Sequence, residues 1–310
     1  MAQGRRAILA RLALAASSAL LVLALAELGM RVAGLGEVMT YRADPRFGYL
    51  MRPSQRISTY GSQVEINALG LRGPEPLDPK PADVRRLLFL GDSITYGGGH
   101  IAEAELFCRQ IESLAARDGL RVESLNGAAP GWSPQNWAAW VGANGALGAD
   151  AVVAVIPAID RARPFATMAE HALLERPPLL RLTALWLKAK TLGQPGPPLS
   201  DEAVAANVRA ISELLPRLGS TPLLAVLVPS RGADERPERW APYQALFPDA
   251  LDLRADFAPA DFLDDVHFSS SGHRTIAERI YARLKPRLAD SPAARVSRAL
   301  ELQALPPPDE

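Results

Sequence analysis

The chain has 310 residues, 48% of them hydrophobic and 22% charged, which is ample for a packed core and unlike a disordered or fibrous composition. Thirty-four Lys and Arg balance thirty-four Asp and Glu, so no overall field draws the chain toward nucleic acid. Cys108 is the single cysteine, which excludes an intramolecular disulfide and a cysteine-based zinc site; within Leu106-Phe107-Cys108 it reads as one face of a buried helix.

Residues 1–31 form the first unit. Arg5, Arg6 and Arg11 precede an apolar stretch from Leu12 to Ala26, and Glu27 and Arg31 close it. This is a positive n-region followed by a hydrophobic segment, predicting a signal peptide or a signal anchor. The charge-free run of about 15 residues is short for a span but extends through Met30, or back through Ile8 if Arg11 snorkels. Cleavage after Ala24-Leu25-Ala26 would release a secreted or periplasmic protein; retention would leave a single-pass membrane protein. The arginines put the N-terminus in the cytoplasm and the rest of the chain outside.

Residues 32–84 change character. Pro45, Pro53, Gly70, Gly73-Pro74, Pro76, Pro79 and Pro81 interrupt the chain too often for a long helix. Alternation in Val64-Glu65-Ile66-Asn67 predicts an edge strand or hairpin, and the whole stretch is expected to pack as an extension on the main domain.

Leu87 to Leu90 are an unbroken apolar run with charges before and Gly91 after, which predicts a strand buried on both faces at the centre of a parallel sheet. Gly91 permits a sharp exit, and Ser93 then falls at the carboxyl edge, where open α/β folds bind ligands. Gly91-Asp92-Ser93 followed by Ile-Thr-Tyr-Gly resembles the nucleophile motif of the GDSL hydrolases, also called the SGNH family. The resemblance covers about two thirds of the chain and implies a three-layer α/β/α, flavodoxin-like parallel sheet over residues 85–289. Membrane-anchored bacterial members of that family have a similar lead-in, here Asn67-Ala68-Leu69-Gly70-Leu71-Arg72-Gly73.

Beyond Ser93 the pattern alternates helix and strand, the signature of a parallel α/β sheet. Helices are predicted over 102–117, 134–143, 201–218 (with Ser200 as N-cap) and 271–288, and strands over 122–125, 151–156, 223–228 and 250–253. Between the third and fourth strands, 161–198 exceeds what a crossover needs. Its apolar residues at helical spacing, Leu182 and Leu185-Trp186-Leu187 among them, predict an extra helix packed on the sheet, with a lid or an acyl-chain surface as the alternative. The tail 290–310, ending Pro-Pro-Pro-Asp-Glu, is expected to be loose.

Ester hydrolysis through serine needs a base, a group that orients the base, and donors for the oxyanion. Asp264-Asp265-Val266-His267 supplies Asp-x-x-His, matching the family's final motif: a carboxylate three residues before an imidazole can fix its tautomer while the other nitrogen faces Ser93. Asp265 is the second candidate for that carboxylate. Of the other histidines, His273 is read as structural or capping, His100 as loop and His171 as surface. The oxyanion donors are expected to be the Ser93 amide and that of Gly131, in Asn126-Gly127-Ala128-Ala129-Pro130-Gly131-Trp132, which resembles the family's glycine block.

One position departs from the family pattern. Where Gly-x-Asn-Asp would supply a donating asparagine, this chain has Pro157-Ala158-Ile159-Asp160, and isoleucine cannot donate. Asn126, Asn136 and Asn144 lie nearby in sequence without anything placing them in the hole. Other motifs fail: Gly97-Gly98-Gly99-His100-Ile101-Ala102 does not follow its strand as a dinucleotide loop must, no phosphate loop is present, and metal-ligand spacing is absent. The chain therefore reads as a serine esterase outside the cytoplasm, without cofactor or metal, acting on a small-molecule or glycan ester. Two alternatives stand beside it: acyl transfer or deacetylation on cell-envelope polysaccharide, and a non-catalytic carbohydrate-binding or assembly protein that keeps the hydrolase fold.

Overall fold

A computed structural model describes residues 2–59, 61–171, 173–191, 198–231 and 237–289; the tail expected to be loose lies outside them. Helix α1, Ala2–Val32, is exposed along nearly its whole length. Its 29-residue stretch Gly4–Val32, which includes an 18-residue window of mean hydropathy 2.2, is long and apolar enough to cross a membrane.

Two hairpins follow, β1 (Tyr41–Asp44) with β2 (Gly48–Met51), and β3 (Gln55–Thr59) with β4 (Ser62–Ile66). Their inward residues Tyr49, Met51, Val64 and Ile66 are fully buried in the same apolar core as Trp137. Arg72 continues the pairing with antiparallel bridges to Ile66 on one side and to Asn126 of the main sheet on the other.

The main sheet has five parallel strands: β5 (Val84–Gly91), β6 (Arg121–Ala128), β7 (Ala151–Pro157), β8 (Leu223–Val228) and β9 (Leu251–Asp252), in the order β6-β5-β7-β8-β9. Counting from β5, that is the doubly wound 2-1-3-4-5 arrangement. The chain goes first to one side of β5 and then returns across it, so β5 lies second from the edge and β7 holds the centre, where the sequence had suggested β5. The register sets Leu88 against Leu125 and Val152, and Ala154 against Ala225.

Strand periodicity divides the core. Leu87, Phe89, Val153 and Val226 face α3 (Phe107–Arg117) and α8 (Ser270–Ala289), while Leu88, Leu90, Val152 and Leu227 face α4 (Pro134–Asn144), α6 (Asp201–Leu214) and α7 (Pro237–Leu246). Cys108 is buried in the first of these layers. Three boundaries shift for local reasons. A 3-10 turn at Glu103–Glu105 precedes α3, Pro216 converts the end of the predicted 201–218 helix into a 3-10 turn, and β9 has two residues. The helix α7, with Pro242 inside it, carries no clear apolar period and was not anticipated.

The helix predicted within 161–198 exists as α5, Arg181–Thr191, but it does not pack on the sheet. Its neighbour is the end of α1, and Leu185 and Trp186 are exposed.

Candidate active site

The chain leaves β5 at Gly91, where a Cβ would collide with the Thr95 side chain and meet the Val155 carbonyl at 3.2 Å. Asp92 caps the four-residue helix α2 (Ser93–Tyr96), its Oδ1 accepting from the Ile94 N–H at 2.9 Å. Ser93 thus starts a helical turn at the carboxyl edge, beside the point where strand order reverses between β5 and β7.

The turn before α8 delivers the other two groups. Asp264 Oδ1 accepts from the backbone N–H of Val266 (2.8 Å) and of His267 (2.7 Å), and its Oδ2 lies 2.8 Å from His267 Nδ1. His267 Nε2 stands 2.9 Å from Ser93 Oγ, so Ser93, His267 and Asp264 form one relay. Burial pushes the Asp264 carboxyl up, but the His267 amide, the imidazole and the Val266 amide outweigh it and hold it below the usual carboxylate range. Asp265 takes no part in this relay; its carbonyl accepts from the Arg231 N–H at 2.7 Å.

Gly131 follows β6 with φ +80°, a conformation that favours glycine. The carbonyl of the preceding Pro130 accepts from Tyr49 Oη at 2.5 Å, which ties this loop to the first hairpin. Ile159 is half-buried, and its N–H reaches Ser230 Oγ at 3.4 Å. Each neighbouring asparagine spends its amide on backbone carbonyls: Asn126 on Thr95, Asn136 on Phe47 and Ala166, Asn144 on Trp140.

His171 departs from its expected surface position. The imidazole is half-buried 6.1 Å from the Tyr49 ring, and a Cβ on Gly131 would meet it at 2.6 to 2.9 Å. Its Nε2 is buried with no hydrogen-bond partner. Burial and the nearby Arg163 guanidinium hold its pKa below the ordinary histidine value. Sequence spacing gave no signal for this contact, because 40 positions separate His171 from Gly131.

His273 does have the structural role expected: its Nδ1 accepts from the Phe107 N–H at 3.2 Å at the start of α3, the ring stacks on Phe107, and burial pushes its pKa down to about 3. His100 lies in the glycine loop at the rim of the site.

Behind Ser93 lies a buried acidic pair. Asp160 Oδ1 accepts from Arg163 Nε at 2.5 Å, and Asp160 also abuts Asp92, whose Oδ2 is 3.3 Å from Ser93 Oγ. Burial, and then the neighbouring Asp92, raise the Asp160 pKa well above the ordinary carboxyl value. The Asp160 Oδ2 is buried with no hydrogen-bond partner.

A cavity of about 200 Å³ opens beside Ser93, lined by Tyr96, Gly97, His100, Ile101, Leu263 and Phe268. A larger one of about 660 Å³ lies between α6 and α7, against Arg161, Val204, Val208 and Pro242, and touches no member of the relay. Among the described residues no cluster of three or more His, Cys, Asp or Glu could hold a metal ion.

No family model and no curated protein matches the chain. Several solved structures resemble it. The structure of TesA is 13% identical with a TM-score of 0.41, over 65% of this chain and 99% of that one. The lipase/acylhydrolase from Enterococcus faecalis is 18% identical with a TM-score of 0.43, over 66% and 96%. A catalytic mutant of Axe2, an acetylxylan esterase from Geobacillus stearothermophilus, is 19% identical with a TM-score of 0.38, over 63% and 92%.

Proposed function

We propose that this chain is a serine esterase of the GDSL hydrolase type that cleaves carboxyl esters through an acyl-serine. The observation that carries the reading is the relay in which His267 lies 2.9 Å from Ser93 Oγ and 2.8 Å from Asp264. With Asp264 ionised and bonded to Nδ1, the proton of His267 sits there and Nε2 is free to accept from Ser93.

As Oγ attacks the ester carbonyl carbon, its proton passes to Nε2 and the carbonyl oxygen becomes an oxyanion. The N–H groups of Ser93 and Gly131 are the donors for that charge. Collapse breaks the bond to the leaving alcohol, which takes the proton back from His267. Water then repeats the sequence, with His267 as its base, and releases the acid and free Ser93.

The side chains of His267 and Asp264 are 38% and 57% exposed, which leaves room for a glycan hydroxyl in place of water. Acyl transfer is therefore the second reading, and the intact relay speaks against a purely binding role. The arginines before the apolar stretch of α1 orient the catalytic domain outside the cytoplasm, held by that helix unless it is cleaved near Ala26.

The test is hydrolysis of p-nitrophenyl acetate through octanoate by the purified chain beside Ser93→Ala. The variant should lose at least about 10³-fold in kcat. Equal rates in the two proteins would remove the proposal.

A further inference from the structure

The end of α1 and the start of α5 are locked together. The Glu27 carboxylate accepts from the backbone N–H groups of Arg181 (3.0 Å) and Leu182 (3.3 Å), the first two residues of α5. Arg31, paired with Glu27 at 2.8 Å, donates to the Leu179 carbonyl at 2.7 Å. Arg181 returns to the Leu35 carbonyl (3.3 Å) and to Glu37 (3.0 Å). Whatever depth the end of α1 occupies, α5 begins there too.

Glu27 is the first charge after the apolar run of α1. If that run crosses the bilayer, Glu27 lies at its outer face, and so does α5. Large apolar side chains are exposed on α5 and on the two residues before it: Leu179 is 87% exposed, Trp186 56%, and Leu180 and Leu185 46% each. They continue the exposed Leu28, Val32 and Leu35 at the end of α1. Lys190 Nζ stands 4.5 Å over the Trp186 ring. Tryptophan beside lysine on an apolar face is the composition of a headgroup-level helix.

We propose that residues 179–190 are a second membrane contact, with α5 lying in the outer headgroup layer of a phospholipid surface and Leu179, Leu185 and Trp186 facing the acyl chains. The catalytic domain is then held at two points and keeps one orientation instead of swinging on a single tether. The occupant is lipid because the patch is continuous with the spanning helix at its exit. This inference rests on the reading of α1 as an anchor.

Trp186 makes the test selective, since Trp132, Trp137, Trp140 and Trp240 are no more than 2% exposed. The full chain is reconstituted into dioleoylphosphatidylcholine vesicles with and without bromine on the lipid chains, and into the same vesicles with iodide in the aqueous phase. Bromolipid should quench a component of the emission that Trp186→Phe removes, and iodide should leave it largely unaffected. Quenching by iodide alone would overturn the inference, as would shielding from both quenchers, which would place a protein partner on the patch. A chain that floats with vesicles without bromolipid quenching keeps the anchor and removes the second contact; a chain that does not float removes both.

A separate observation bears on the hole, and it rests on the esterase reading. Ile159 cannot donate, the three nearby asparagines are committed elsewhere, and the buried His171 Nε2 has no partner beside Gly131. We infer that a neutral His171, with its proton on Nε2, supplies the third oxyanion donor. A neutral imidazole donates from whichever nitrogen carries the proton, and burial of the ring favours the neutral form.

His171→Ala should then lower kcat by about 10²-fold with KM little changed, and His171→Gln, which keeps an amide N–H, should recover part of it where His171→Phe does not. Unchanged kcat in a folded His171→Ala, or equal kcat in the Gln and Phe variants, overturns the assignment. Failure of the esterase reading shows differently, as activity that survives Ser93→Ala.

Discussion

Arg72 sits in the lead-in that carried no chemistry in the sequence, yet it organises the loop after the nucleophile. Its side chain is fully buried. Nε donates to Glu103 at 3.0 Å, Nη1 to the carbonyls of Tyr96 (2.8 Å) and Gly98, and Nη2 to Ile101 at 2.9 Å. One guanidinium therefore fixes residues 96–103, of which 96–101 form one wall of the cavity beside Ser93. Arg72→Lys keeps the charge but replaces a rigid fork with a point donor that cannot serve all four acceptors. Losing two hydrogen bonds to a charged donor, at roughly 1.5 to 3 kcal/mol each, gives a loss of about 3 kcal/mol or more. The lower end applies because Glu103 is 31% exposed and its share is partly screened. Urea unfolding should report that loss, and kcat/KM on a short ester should fall as the wall loosens. A loss under about 1 kcal/mol with unchanged kcat/KM would refute the reasoning.

Three further outcomes are expected. His273 has a folded pKa of about 3 against an ordinary 6.5, so the unfolded chain takes up its proton first. The stability this gives is complete above pH 6.5 and is lost as pH falls toward 3, about 3 kcal/mol of it by pH 4; His273→Gln should show a flatter decline in urea melts at pH 7 and 4, and parallel declines would contradict this. Asp264→Asn should lower kcat by about 10²- to 10⁴-fold while Tm changes little, since it removes the acceptor that fixes the His267 tautomer; activity near wild type would show that Asp264 does not orient the base. Ile159→Asn should leave kcat within about threefold, because the third donor is already present. A rise of about tenfold or more in the same assay would show a hole that lacked one.

The parts of the site set by short-range chemistry were legible in the sequence. The run Leu87 to Leu90 ended by Gly91 needs only local pattern to read as a buried strand, and Asp264 reaches His267 because three residues of a turn suffice. What escaped depends on contacts between distant positions. His171 meets Gly131, Arg72 meets 96–101, and Glu27 meets Arg181 across intervals that no periodicity encodes. The α5 residues Leu185 and Trp186 were read as core because a helical apolar period states that a face is covered, not what covers it. β5 was placed at the centre of the sheet for a similar reason: a run buried on both faces identifies an interior strand, and strand order alone separates it from β7.

The central claim is that Ser93 is a nucleophile activated by His267, and active-site phosphonylation tests it most directly. The full chain, Ser93→Ala and His267→Ala are each treated with a fluorophosphonate and followed by intact and peptide mass. The account predicts one adduct, on the Ser93 peptide, absent from Ser93→Ala and strongly suppressed in His267→Ala. An adduct elsewhere, or labelling undiminished in both variants, would contradict it.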